Sequence, residues 1–311
     1  MSLVDSPITF TSCPWNDAFG GPVSRVHIVT DSAATIEPVI AKQLDITVVS
    51  LTVRIDGQDY QDGAELDHEE LLLRMARDRI RPGIVGPTAE QFRRLYSRLT
   101  RRTDQIISLH SSASLSLICR EAQRAANEFR GRCDIVVMDS ETLSLGLDIL
   151  IREAAQLANE SVPLSEIMRR IRGLMRRIYI VLVTDTLDYL EHSHLISPAQ
   201  AILGTMLGIK PFLALEEGKI IPMEKVRSRE RAIDKLAEFA GEFSNVEKMA
   251  ILQSTLYPTE ETKMLQERLS LVAPDHEFPI ILYGPLLASH IGPDGIGLVV
   301  YESTDKETLP R

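Results

Sequence analysis

Three apolar runs constrain the fold of this chain more than anything else in it: VHIVTDS ending at Ser32, QIISLHSS ending at Ser112 and DIVVMDS ending at Ser140. Each has the pattern of a buried strand, and each stops in hydroxyl or carboxylate side chains where a turn or helix begins. Strand ends of this kind gather at the carboxyl edge of an open parallel α/β sheet, the edge at which ligands bind. The second run has the richest end: Ser111, Ser112, Ser114 and Ser116 stand just ahead of the helical pattern ICREAQRAA. Free backbone N–H groups and the positive end of a helix dipole suit a carboxylate or phosphate oxygen there. Capping is the competing account: one serine closes the helix and the rest face water, while Asp31-Ser32 and Asp139-Ser140 form Asx turns or N-caps. The anion reading rests on the three ends falling together.

At 311 residues the chain exceeds one ordinary domain of roughly 150 residues, so two are expected. Residues 1–25, with Pro14, Gly20, Gly21 and Pro22, read as an irregular extension. A first α/β domain is expected over 26–177. It carries a hairpin over 46–63, marked by β-branched residues around Asp56-Gly57. Helices are expected near Asp67 to Arg79 and Ala89 to Arg101, with a loop RPGIVGPT between them. LSEIMRRIRGLMRRI sets one apolar stripe at helical spacing. A second domain over 178–305 mixes strands and short helices, with a hairpin turning at Glu217-Gly218.

The formal charge of −10 and the pI near 5.3 speak against a nucleic-acid partner, which selects a basic face. No apolar run reaches the roughly 18 residues of a membrane span, and the N-terminus lacks a signal-peptide pattern. A cytoplasmic protein without stable membrane insertion is expected. Cys13, Cys119 and Cys133 are odd in number and lack paired spacing, so reduced thiols are expected, with Cys119 a small packed hydrophobe. Arginine clusters over Arg93 to Arg102 and Arg169 to Arg177 either meet an acidic partner or an anionic surface, or are solvated faces. The phosphate-binding loop, the dinucleotide fingerprint, the nucleophile elbow and HExxH do not occur. His192 and His194 lack metal-ligand spacing. His290 lies in YGPLLASHIGPDGIGLVVYE, read as a Gly- and Pro-constrained loop, where it is either a ligand contact or a core histidine.

In order along the chain, VTDS, LTVRIDGQDYQDG, SSASLS, MDS, DTLDYL, LGIKPFLAL with KVRSR, and SHIGPDGIGL resemble the DegV family of bacterial fatty-acid-binding proteins. The resemblance covers nearly all of 26–301. It implies a two-domain α/β fold, a parallel-sheet domain plus a second α/β domain with a mixed sheet, and a hairpin reaching from the first toward the second. It also implies a long-chain fatty acid in a tunnel between them, no cofactor, and in some members a partner fatty acid kinase. By the same resemblance Ser116 holds the head group with His290 near it, Asp31 and Ser32 line the cleft, and Lys210 and Arg227 are available to an anionic head or phosphate. Ser112 belongs to the same serine turn.

Several positions depart from the family pattern. Ile84, Val85, Gly86 and Pro87 stand where relatives carry Thr-Ser-Gln-Pro, so a hydroxyl near the carboxylate is lost at Ile84. Leu117 and Ile118 replace Gly-Thr, and Ser193, His194 and Leu195 replace Gly-Gly-Arg. The expected protein is a non-catalytic carrier of a long-chain fatty acid. The alternatives are an acyl-ester hydrolase using Ser116 and His290, and an interaction protein whose cleft is filled by Ile84, Leu117 and Ile118.

Overall fold

The computed structural model describes residues 25–303, so the extension expected over 1–25 lies outside the described residues except for Arg25, and Cys13 with it. In chain order the first elements are β1 (His27–Asp31), α1 (Pro38–Gln43), β2 (Ile46–Val49), β3 (Thr52–Ile55), β4 (Gln58–Gln61), α2 (His68–Asp78), β5 (Gly83–Val85) and α3 (Ala89–Leu99). They continue through β6 (Gln105–His110), α4 (Ile118–Ala126), β7 (Asp134–Asp139), α5 (Ser144–Asn159), α6 (Leu164–Met175) and β8 (Ile178–Val183). Next come α7 (Asp188–His192), α8 (Pro198–Met206), β9 (Lys210–Glu216), β10 (Lys219–Val226), α9 (Arg229–Ala240) and β11 (Val246–Gln253). The last are α10 (Glu260–Val272), β12 (Ile280–Leu282), α11 (Pro285–Ile291) and β13 (Ile296–Glu302).

The three apolar runs become β1, β6 and β7 of a four-stranded sheet, order β2-β1-β6-β7, parallel throughout. Its strands are apolar on both faces because helices cover both. Phe92, Leu95, Ile118 and Ala122 of α3 and α4 pack on Val29 and Ile106. Leu147, Ile151, Ile167 and Ile171 of α5 and α6 pack on Ile28, Ile107 and Leu109. The two arginine clusters therefore sit on helices covering opposite faces and do not form one basic surface. A second, mixed sheet has the order β10-β9-β8-β13-β11-β12, with β11 and β12 parallel and the other pairs antiparallel. Its exposed edge, β10, is blunted against further pairing by Pro222, a register shift beside it and the charged Glu224 and Lys225.

The hairpin expected over 46–63 divides in two. Ile46–Val49 joins the parallel sheet as β2, and the hairpin proper is β3 and β4, closed by Asp56 and Gly57 at φ 51° and 81°. Positive φ at both central residues matches the twist of the strands they join, and glycine takes the second without strain. The stretch expected as a loop, RPGIVGPT, contains β5, which pairs with the other side of β3. This small sheet carries Val53 and Ile55 into an apolar cluster with Ile180, Leu182 and Leu213 of the mixed sheet. α2 adds Leu71, Leu72 and Met75 to that cluster, and its N-terminus is fixed by Asp67, whose carboxylate accepts from the Glu69 and Glu70 N–H groups. The segment around His290, expected as a loop, is helical: Pro285 pre-sets φ at its first turn and Gly292, at φ 82°, ends it.

Candidate functional site

At the carboxyl edge of the parallel sheet, Asp31 is fully buried and its carboxylate accepts from four donors. The Ala33 N–H reaches Oδ1 at 3.0 Å, while the Ser111 N–H at 2.9 Å, the Ser111 hydroxyl at 3.3 Å and His110 Nδ1 at 3.0 Å reach Oδ2. Behind His110 the chain of bonds continues into the core: Nε2 lies 2.7 Å from the Ser108 hydroxyl, to which Tyr96 donates at 2.8 Å. The donors run one way, Tyr96 to Ser108 to His110 to Asp31, which assigns the His110 proton to Nδ1. A serine, a histidine and an aspartate in this order have the connectivity of a hydrolytic triad. Ser108 and His110 are fully buried, so the row acts on structure: it anchors the backbone of Ser111 where the serine turn begins.

The serine turn does not open the helix as expected. α4 starts at Ile118, Leu117 occupies the cap position without a side-chain bond, and Ser116 Oγ lies 3.5 Å from the Ile118 N–H. Ser112 is buried and engaged elsewhere, donating at 2.6 Å to the Gly218 carbonyl at the tip of the β9–β10 hairpin. It thereby joins the two large sheets. Ser116 is half-buried, and Leu117 is 58% exposed, so Leu117 fills no cleft. Ile84 packs against the clusters on both sides of it, and Ile118 lies at the bottom of the α4 packing. His290, on α11, lies with Nδ1 2.8 Å from the Leu286 carbonyl, and burial pushes its pKa below the ordinary value. In the neutral ring the Nδ1 proton goes to Leu286 and Nε2 is left as an acceptor. Among the described residues no hydrogen bond joins Ser116 to His290. Cys119 is held near the Ser111 and Met138 carbonyls, and burial pushes its thiol up, far from a nucleophile's range.

Ser32 belongs to a second polar row. Its hydroxyl donates at 2.5 Å to the buried carboxylate of Asp62, and the other Asp62 oxygen lies 2.7 Å from His68 Nε2. The row borders a cavity of about 710 Å³ between α1, the hairpin and β12. Burial opposes a charge on His68, but the Asp62 hydrogen bond and charge, with Asp67 beyond, outweigh it and raise its pKa above 6.5. The histidine therefore stabilises the fold fully below about pH 6.5, and that contribution is lost as the pH rises through the folded value. His27 and His290, whose pKa values burial lowers, act the other way below about pH 7, so the expected result is a difference: from about pH 7 to about pH 9 the unfolding midpoint falls less in His68→Gln than in the unsubstituted protein.

Lys210 and Arg227 lie at the other end of the β9–β10 hairpin, on the order of 20 Å along the strand from the Gly218 carbonyl that holds Ser112. Lys210 is already occupied: its ammonium donates at 2.6 Å to Asp185. Arg229 also reaches Asp185, at 3.2 Å, and binds Glu261 at 2.8 Å and the Asp294 carbonyl at 2.8 Å. This ion-pair group ties together the starts of β9, α9 and α10 and the turn before β13. Arg227 is exposed. The structure thus gathers Asp31, Ser32, Ser112 and Ser116 at one sheet edge and sets Lys210 and Arg227 apart from it. Sequence reasoning missed Tyr96, Ser108, His110, Asp62 and His68. The spacing of Ser108 and His110, two apart on one strand, puts both on one face and was the available signal.

A family model described as an uncharacterised protein of the DegV family matches residues 25–303. A DegV domain-containing protein of Deinococcus radiodurans is 31% identical over 284 residues, covering 88% of this chain and 98% of that protein. A solved structure of a fatty-acid-binding DegV family protein from Thermus thermophilus superposes with a TM-score of 0.77 at 28% identity, covering 90% of this chain and 100% of that one. The structure of DegV, a fatty acid binding protein from Bacillus subtilis, gives a TM-score of 0.76 at 26% identity, again covering 90% and 100%. With a parallel four-stranded sheet, a mixed six-stranded sheet and this match over its whole described length, the chain belongs to the DegV family.

Proposed function

We propose that this protein binds a long-chain fatty acid between its two domains, which divide near residue 178, and acts as a carrier. The observation that carries the reading is the apolar cluster in which Val53 and Ile55 of the first domain's hairpin and Leu71 of α2 meet Ile180, Leu182 and Leu213 of the mixed sheet. An acyl chain entering there exchanges protein–protein apolar contacts for protein–lipid ones. Burial of roughly fourteen methylenes at about 0.8 kcal/mol each offers on the order of 11 kcal/mol before ordering and association costs. The tail supplies affinity and the head group supplies orientation, because a carboxylate left without partners loses several kcal/mol.

Ser116 is the proposed head-group donor: its hydroxyl is half-buried and committed to nothing stronger than a 3.5 Å contact. Ser112 supports the site indirectly, since its hydroxyl is spent on Gly218. His290 with a neutral ring accepts through Nε2 from a protonated acid, and donates to a carboxylate only when it is itself protonated. Ser116→Ala is expected to weaken fatty-acid binding by about 1–2 kcal/mol, roughly five- to thirtyfold, at unchanged thermal stability. Equal affinity in the variant would remove Ser116 from the site. Presentation of the bound acid to a fatty acid kinase is proposed on family resemblance, and the Ser193-His194-Leu195 departure makes any such contact rely on groups other than an arginine there. The proposed location is the cytoplasm; among the described residues no helix is long and apolar enough to cross a membrane, and Cys119 and Cys133 are free thiols.

A further inference from the structure

β2 is the outer strand of the parallel sheet, paired with β1 on one side. The Ser32 N–H donates at 3.0 Å to the Val49 carbonyl, so Val49 and, two residues earlier, Thr47 direct their backbone groups at β1. The N–H and C=O groups of Ile46 and Val48 then point out of the sheet. Among the described residues nothing pairs with them. Val48 is 38% exposed, and the strand, Ile-Thr-Val-Val, carries none of the prolines, bulges or charges that blunt β10.

A groove runs along each face of this free edge. On the α1 side is the 710 Å³ cavity, walled near the strand by Ile36, Pro38, Ala41, Ile46 and Val48. On the α3 side is a cavity of about 540 Å³ that reaches Thr47, Val48, Val49 and Ser50 from one wall and Gln91, Arg94 and Arg98 from the other. A strand added to β2 sends alternate side chains to the two faces, hence into the two grooves. Their chemistries differ. The α3 groove has two arginines and no acidic residue in its lining, and Arg98 has no ion pair among the described residues, while Arg94 shares Glu90 with Arg93. The α1 groove has an apolar wall, with Lys42, Asp45, Asp67 and the Asp62–His68 pair farther along it.

We propose that the free edge of β2 is a strand-addition site for an extended segment of a partner protein whose side chains alternate acidic and apolar. The acidic side chains lie against Arg94 and Arg98, and the apolar ones fill the groove beside α1. Arginine is the residue suited to this, since its planar fork meets a carboxylate through two bonds. A second copy of this chain fits less well. Antiparallel pairing of β2 with itself about a two-fold axis normal to the sheet keeps the same face up, which sets Arg94 and Arg98 beside their own counterparts.

The test is fluorescence anisotropy of the full chain with a labelled peptide of about eight residues alternating Glu and Val, beside one with Lys in place of Glu. Saturable binding of the Glu peptide is expected, weakened at least about tenfold by Arg98→Glu and by the Lys peptide, as for a desolvated charge pair. Val48→Pro is expected to abolish it, because proline removes an outward N–H that the β1 ladder does not use. If that variant does not fold, the Arg98→Glu and Lys-peptide arms still decide. Absent binding of the Glu peptide, equal binding of the two peptides, or full binding by folded Val48→Pro would overturn the proposal. A concentration-dependent dimer that Val48→Pro dissolves would also overturn it, by identifying the occupant as a second copy. None of these outcomes depends on the lipid reading.

Discussion

Replacing His110 with leucine is expected to cost about 3–5 kcal/mol of stability in denaturant unfolding, from the lost bond to the buried Asp31 side chain and the buried Ser108 hydroxyl left without its acceptor. Leucine keeps much of the packing against Phe92, whose ring centroid lies 5.3 Å from that of His110, so the loss is polar in origin. Asp31 keeps its backbone and Ser111 donors but loses the ring N–H, and the Ser108 hydroxyl loses its acceptor, all in a site without water access. Tyr96→Phe removes the outermost link and is expected to cost about 1 kcal/mol, the net worth of one hydrogen bond, with the bonds among Ser108, His110 and Asp31 kept. The gradient is the informative part. Equal small losses at His110 and Tyr96 would mean that the row is a set of independent contacts rather than one support beneath the serine turn.

Gly218→Ala carries the second large effect, about 2–4 kcal/mol from strain, a clash and a lost hydrogen bond together. Gly218 has φ 77°, and an added Cβ would stand 2.4 Å from Ser112 Oγ and 3.2 Å from Glu141 Cα. The side chain has no room unless the hairpin tip lifts off the serine turn, which breaks the 2.6 Å bond joining the two sheets. Ser112→Ala removes that bond without the clash and is expected to cost about 1 kcal/mol. Hydrogen exchange resolves the two: Gly218→Ala is expected to lower protection at both the β9–β10 tip and residues 111–116. Loss confined to the hairpin tip would show that the serine turn stands without it.

Strands β1, β6 and β7 of the parallel sheet were legible in the sequence because they are apolar on both faces and read as continuous apolar runs with polar ends. The Asp56-Gly57 and Glu217-Gly218 turns were legible because positive φ has a residue signature. β2 was absorbed into the hairpin because ITVV and TVRI are both β-branched and only two residues part them; nothing local says that one pairs with β1 and the other with β5. α11 was hidden by its prolines and glycines, which mark its two ends rather than a loop. The serine turn was found, but its occupancy was not: that Ser112 is spent on Gly218 and Lys210 on Asp185 is decided by residues 106 and 25 positions away. The polar rows behind the site were invisible for the same reason, since Asp31 and His110 are 79 residues apart.

Whether a lipid lies between the two domains is decided by mass spectrometry of the purified protein, native and then after organic extraction. A stoichiometric long-chain fatty acid that leaves on extraction and rebinds to the emptied protein is expected. A protein that arrives empty and takes up no added fatty acid of any chain length would contradict the carrier reading.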